Sequence, residues 1–185
     1  MNTFQEHDCE DSMVENVSTI EKPYRYVGSG LGNVWLVGVK YWLCSICEKQ
    51  AAEIPALKHL LESIARTLVE KKSPLVGEQV RFLRKRLGRP SKDFAALIGV
   101  TPERYSAMEA KSTPLAEGRD KLVRFVYKVL SGDQKLKNTL GRVHAVEQWL
   151  LALHEGSDSE CIIGTWRGAR SRRWHVEASA MAACA

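Results

Sequence analysis

Between Ser91 and Lys111 the chain has room for two short helices and almost nothing between them. Ser91–Ile98 allows about two helical turns. Gly99 tolerates a positive φ, and Thr101-Pro102 restarts a helix with a hydroxyl N-cap and a proline at the first helical position. Two helices joined by so short a glycine-containing turn make the helix-turn-helix unit, whose second helix enters the DNA major groove. That second helix needs one buried stripe and one polar stripe. Tyr105 and Met108, three residues apart, supply the first, while Glu103, Arg104, Ala107 and Lys111 fall on the opposite side at steps of three and four. An ordinary helical bundle with a tight turn satisfies the same spacing, so the surroundings have to weigh in.

Charge is the first of these surroundings. The net charge of +5 is unevenly placed: Lys and Arg stand against Asp and Glu as 8 to 10 over residues 1–74, 12 to 6 over 75–130, and 7 to 6 over 131–185. The basic excess therefore coincides with the helical pair, where Arg81, Arg84, Lys85, Arg86, Arg89 and Lys92 cluster just ahead of it. Such a cluster suits a polyanionic partner, because Lys and Arg displace the counterions condensed on phosphates. A solvated helical surface accounts for many charge runs of this kind as well.

Along the chain, residues 1–22 are acidic and aperiodic, the pattern of a flexible arm, and residues 23–53 are β-branched and aromatic with glycine turns. Residues 54–74 hold a linking helix with Leu57, Leu60, Leu61, Ile64, Ala65 and Leu68 on its apolar stripe. Residues 75–131 hold four helical segments. Val76, Val80, Leu83 and Leu87 mark the first, Phe94, Leu97 and Ile98 the second, Thr101-Pro102 opens the third, and Leu122, Phe125, Val126 and Val129 form the expected core face of the fourth. Residues 132–185 carry a fifth helical pattern (Leu140, Val143, Val146, Leu150, Leu153), then Cys161–Thr165 and Trp174–Val176 as short strands around a basic turn, and a tail from Ala178. The fold class expected is α+β, mainly α, with a five-helix helix-turn-helix domain.

The run LVGEQVRFLRKRLGRPSKDFAALIGVTPERYSAMEAKSTPL, Leu75 to Leu115, resembles the Cro/repressor-type helix-turn-helix, and most nearly the version in MqsA-family antitoxins. YRYVGSGLGNVWLVGVKYWLCSIC (Tyr24 to Cys47) followed by IPALKHLLESIARTLVEKK (Ile54 to Lys72) is similar to that family's zinc-ribbon-like region and linking helix. The resemblance covers about residues 7–130. It implies a dimer that binds a palindromic double-stranded DNA operator, represses its own operon, and engages a cognate toxin through its N-terminal region. The alternative it leaves open is an antitoxin that mainly sequesters a toxin and binds DNA weakly.

Two departures from the family pattern matter. Of its two CxxC pairs only Cys44-Ser45-Ile46-Cys47 is intact. Cys9 has Ser12 at the second ligand position, and His7 is the nearest substitute. A structural zinc site takes four ligands, so ordinary thiols are preferred here over a site on His7, Cys9, Cys44 and Cys47. The five cysteines leave one over in any full pairing, which argues against a disulfide framework. In the second helix the family's basic residue is replaced by Ala107-Met108-Glu109. Alanine touches a thymine methyl but cannot make arginine's bidentate contact to guanine. The base-reading candidates are therefore Glu103, Arg104, Ala107 and Lys111, with Arg104 foremost. Arg84, Lys85, Arg89, Ser91, Lys92 and Thr101 are the phosphate candidates, and Glu109 is expected to support the fold internally.

No HExxH, GxSxG, P-loop or dinucleotide fingerprint is present, so no enzymatic activity is expected. Gly28-Ser29-Gly30-Leu31-Gly32 lies within the β-rich region and opens no helix onto phosphates. No apolar run approaches the length of a membrane span, and the acidic start (Glu6, Asp8, Glu10, Asp11) is unlike a secretory signal. A cytoplasmic protein is expected, a homodimer through Val143, Val146, Leu150 and Leu153.

Overall fold

The computed structural model describes residues 13–131, 161–168 and 172–179, and its centre is the helix that the leucine spacing predicts. This helix, α1 (Leu57–Glu70), buries Leu60, Ser63, Ile64, Ala65, Leu68 and Val69, more than one stripe, because it is covered on two flanks. Leu57, at its exposed start, is the member of the expected stripe left in solvent.

One flank of α1 is a sheet. Among the described residues the strands are β1 (Val14–Val17), β2 (Tyr24–Arg25), β3 (Val34–Val37), β4 (Lys40–Leu43), β5 (Gln50–Glu53), β6 (Cys161–Arg167) and β7 (Arg173–Ser179). They form two sheets, ordered β1-β4-β5 and β2-β3-β6-β7. In the second, β3 runs parallel to β6 with Leu36 opposite Gly164, and β6 pairs antiparallel with β7. Gly164 is where α1 sits closest. A Cβ there would stand 3.0 Å from Leu36 Cδ2 and 3.3 Å from Leu60 Cδ1, so a larger residue would have to push these side chains aside by a few tenths of an ångström. The chain passes from one sheet to the other at Gly38, whose φ of 81° is open to glycine at little cost.

Two expectations change here. The segment 1–22 is not an arm throughout, since β1 is paired residue for residue with β4, Val14 opposite Leu43. The β-rich region 23–53 is not a self-contained ribbon either, because the C-terminal strands complete its larger sheet. The strands expected around Cys161 and Trp174 are present and longer than their apolar cores suggested.

The other flank of α1 is helical: α2 (Gly77–Arg86), α3 (Ser91–Leu97), α4 (Pro102–Ala110) and α5 (Glu117–Leu130). Residues 75–131 thus hold four helices, and α1 is the fifth of the described chain. The pattern from Leu140 to Leu153 lies outside the described residues, as does the dimer surface expected on it. The fold is α+β, with one apolar cluster running from Val34, Leu36 and Ile162 through Leu60, Ile64 and Leu68 to Val80, Leu83, Val123 and Tyr127. The Gly28–Gly32 turn belongs to this assembly too: the Gly32 amide donates to Glu78 Oε1 in the first turn of α2 at 3.3 Å.

α5 sits on the core differently from its apolar pattern. Its buried face is Asp120, Val123, Arg124, Tyr127 and Lys128. Leu122, Phe125 and Val129, the expected core residues, are 38%, 39% and 43% exposed. At about 100° per residue, the buried face is centred nearly half a turn, ~180°, from the expected one. The reason is an ion pair. Arg124 Nε donates to Asp120 Oδ2 at 2.8 Å with both side chains fully buried. The remaining guanidinium nitrogens donate to the carbonyls of Leu68, Val69, Lys71 and Ser73, while Asp120 Oδ1 accepts from the Leu75 amide at 2.7 Å. One arginine thus satisfies the last carbonyls of α1 and the strap that follows. No helix among the described residues is long and apolar enough to cross a membrane.

Candidate nucleic-acid interface

α3 and α4 are joined by the four residues Ile98–Thr101. The Val100 amide donates to Ala95 O at 3.0 Å and the Gly99 amide to Ala96 O at 3.2 Å, closing α3 with Gly99 at φ 66°. Thr101 then caps α4, its hydroxyl accepting from the Arg104 amide at 3.3 Å, and Pro102 follows at the first helical position. The start of α3 is built differently. Pro90 stands at the cap position and Ser91 is the first helical residue, half-buried, with no capping hydrogen bond from a side chain.

α4 is held by its inner face. Tyr105 is fully buried and its ring lies 5.6 Å from that of Phe94 on α3. Glu109, 8% exposed, receives Arg84 of α2 in a two-pronged contact, Nε to Oε1 at 2.8 Å and Nη2 to Oε2 at 3.0 Å. Arg84 Nη1 donates to Arg89 O at 2.9 Å, and Arg81 donates to the Glu109 carbonyl at 3.0 Å. Burial pushes the Glu109 carboxyl up, but the Arg84 hydrogen bond and the charges of Arg84 and Arg81 outweigh it, and the net shift is downward. Tyr105 beside this pair is raised well above the ordinary phenol range, chiefly by burial. Gly77 completes the clamp: its amide donates to Lys111 O at 3.1 Å, and a Cβ there would stand within 2.8 Å of three backbone atoms of residues 108–111.

The internal role expected of Glu109 and the inward setting of Tyr105 are what the structure shows. Arg84, expected at phosphates, is instead spent on Glu109 and the Arg89 carbonyl. Opposite-charge pairing in a half-buried site outcompetes exposure to solvent there.

The outer face of α4 carries Glu103, Arg104 and Ala107, all exposed, and Lys111 follows one residue past the helix end rather than on it. The Glu103 carboxyl is lowered by its own backbone amide and by the Thr101 hydroxyl, so it is tied to the helix start. Beyond the helix a cleft of about 250 Å³ opens between Arg104, Ala107 and Lys111 on one side and Thr113, Pro114 and Arg119 on the other. Arg119, in the first turn of α5, is a member that sequence reasoning missed, because only the α4–α5 turn brings it to this face. The surface thus has a firmly seated helix, three cations around a shallow cleft, and small side chains between them. Lys85, Arg89 and Lys92 are exposed on α2, on the turn after it and on α3.

Comparison with family models, curated proteins and solved structures gives no match. What this surface can do follows from its own geometry and charge.

The cysteines are placed differently. Cys44 is buried and Cys47 exposed in the β4–β5 turn, neither of them in a disulfide. Two thiols are half of a four-coordinate zinc set, and the other candidates, His7 and Cys9, lie outside the described residues. Among the described residues no group of three or more His, Cys, Asp or Glu side chains is gathered to hold a metal ion. Cys161, at the start of β6, is disulfide-bonded rather than a free thiol.

Proposed function

We propose that the chain is a sequence-specific DNA-binding repressor in which α3 and α4 act as a helix-turn-helix and α4 enters the major groove. The single observation that carries this reading is the division of α4. Tyr105 and Glu109 are locked inward, while Arg104, Ala107 and the neighbouring Lys111 are left outside with small residues between them. A helix held in this way presents base-reading groups on a rigid support, with little ordering cost on binding. Arg104 is the guanine reader, Ala107 contacts thymine methyl groups, and Lys111 and Arg119 flank them. Lys85, Arg89 and Lys92 take phosphate contacts, which set affinity and register without carrying sequence.

The repressor acts as a homodimer in this reading, since one module buries too little DNA for tight specific binding. The exposed stripe of Leu122, Phe125 and Val129 on α5 supports the pairing, because a second copy would remove from water an apolar row that the monomer leaves wet. By its resemblance the protein is antitoxin-like and autoregulating. Mobility shifts on the DNA upstream of its own gene, run at two salt concentrations against random DNA, test the reading. A sequence preference that survives at higher salt is expected. Equal retardation of both DNAs would remove the repressor reading and leave a module whose main task is sequestering a protein toxin.

A further inference from the structure

The cleft at the end of α4 gathers positive charge that its own walls do not answer. Arg104 and Lys111 line one side and Arg119 the other, and among the described residues no carboxylate lines it. The carboxylates of α4 and α5 are all engaged elsewhere. Glu103 is tied to the Thr101 hydroxyl at the helix start, Glu109 to Arg84 and Arg81, Glu117 to Lys121, and Asp120 to Arg124. None of the ion pairs among the described residues includes Arg104, Lys111 or Arg119. The start of α5 opens beside Ala116 and adds its partial positive charge to theirs.

The backbone of both walls is fixed without any ligand. Arg84 and Glu109 seat α4, and Arg124 and Asp120 seat α5. The turn between them is pinned at both ends: the Leu115 amide donates to Leu75 O at 2.8 Å, and the Gly77 amide to Lys111 O at 3.1 Å. A cleft formed in advance loses little free energy to ordering when it is filled. Its volume of about 250 Å³ falls just under the ~300 Å³ at which small-molecule pockets begin, so it takes one small charged group with part of what carries it. Met108, Pro114 and Leu115 supply apolar lining for that carried part.

We infer that this cleft binds the terminal phosphate of a small phosphate monoester, such as a nucleoside monophosphate, and that the ligand competes with operator DNA. A terminal phosphate carries a charge of about −1.5 to −2 at pH 7 and three strong acceptor oxygens, which three cationic side chains match. A phosphodiester of the DNA backbone carries less charge and one free oxygen fewer, so it fits the set less well. The competition rests on the DNA-binding reading above, because Arg104 belongs to both sites. Drawn onto a phosphate in the cleft, its guanidinium is withdrawn from guanine, and Lys111 and Arg119 are neutralised beside it. Ligand and operator then weaken each other's binding by the same factor.

The test uses the full chain and adenosine monophosphate (AMP), with cyclic AMP as the diester and adenosine as the phosphate-free control. Titration calorimetry without DNA should show AMP binding, cyclic AMP about tenfold weaker, and adenosine silent. Arg119→Ala and Lys111→Ala should each weaken AMP about tenfold, the loss of one charge-assisted contact. Lys58→Ala, an exposed cation on α1 outside the cleft lining, should leave AMP affinity unchanged. In mobility shifts AMP should release the operator from the wild type, and sodium chloride at equal ionic strength should not. Relative to its own operator affinity, Arg119→Ala should need about ten times more AMP for the same release. Cyclic AMP binding as tightly as AMP would give the cleft to the DNA backbone itself and overturn the inference. AMP binding that neither cleft variant weakens, or that leaves the operator bound, overturns it as well, with the α4 reading intact. A wild type without operator preference overturns the repressor reading and the competition with it, whereas the titration of the free chain passes or fails the phosphate site on its own.

Discussion

Two arginine–carboxylate pairs hold this molecule together, and they differ in what they fasten. Arg124 and Asp120 are fully buried, and between them they bind five backbone groups of the segment from Leu68 to Leu75. Arg84 and Glu109 lie nearer the surface, 13% and 7% exposed at the side chain, and fasten α2 to the inner face of α4. The first pair joins the sheet-bearing half to the helical half. The second joins the exposed face of α4 to its own scaffold. Buried pairs of this kind add little net stability over an apolar replacement, but removing one partner strands a charge where water cannot reach it. Damage at the two sites should therefore read out differently, as global unfolding in one case and as a loosened α4 in the other.

The largest effect is expected from Arg124→Met, which leaves Asp120 and four carbonyls without their donor. A loss of about 3–5 kcal/mol in denaturant unfolding is expected. A loss below about 1 kcal/mol would mean that α1 and α5 are joined by apolar packing alone.

Glu109→Gln comes next. It leaves Arg84 half-satisfied, and about 2–3 kcal/mol should be lost, with operator binding falling further than stability because α4 is no longer held in place. Acid should mimic it. The Glu109 carboxyl titrates below its ordinary value of 4.5, so its contribution is full above about pH 4.5 and is lost as pH falls through the folded value. In Glu109→Gln that segment of the pH–stability curve should flatten.

How much of this was legible in the chain depends on how locally each feature is decided. Gly99, the Thr101 cap, Pro102 and the burial of Tyr105 are settled within a turn or two of backbone, and spacing exposed them. The setting of α5 was not legible. Leu122, Phe125, Val126 and Val129 make a proper apolar stripe, and nothing nearby announces that Asp120 and Arg124 take the core side to reach backbone 45 or more residues away. Arg84 and Arg89 look alike in the basic run, yet one meets Glu109 across 25 residues and the other projects from a turn. The pairing of β3 with β6 joins strands on either side of the whole helical unit, a relation periodicity cannot carry.

A smaller effect is expected on α5. Phe125→Ser should cost the monomer about 1–2 kcal/mol, since the ring is 39% exposed and loses only part of a full burial. It should shift sedimentation toward monomer if the exposed stripe pairs two copies. Unchanged association would move the dimer surface elsewhere.

The central claim, that α4 reads bases from a rigid seat while the flanking cations hold phosphates, is tested most directly by comparing Arg104→Ala with Lys85→Ala on cognate operator and on random DNA. Arg104→Ala should cost about 1–3 kcal/mol on the operator and much less on random DNA, with thermal stability unchanged. Lys85→Ala should weaken both DNAs alike and flatten the salt dependence. Equal losses on the two DNAs for Arg104→Ala would contradict the account, and specificity would then have to come from Glu103, Lys111 or the shape of the DNA.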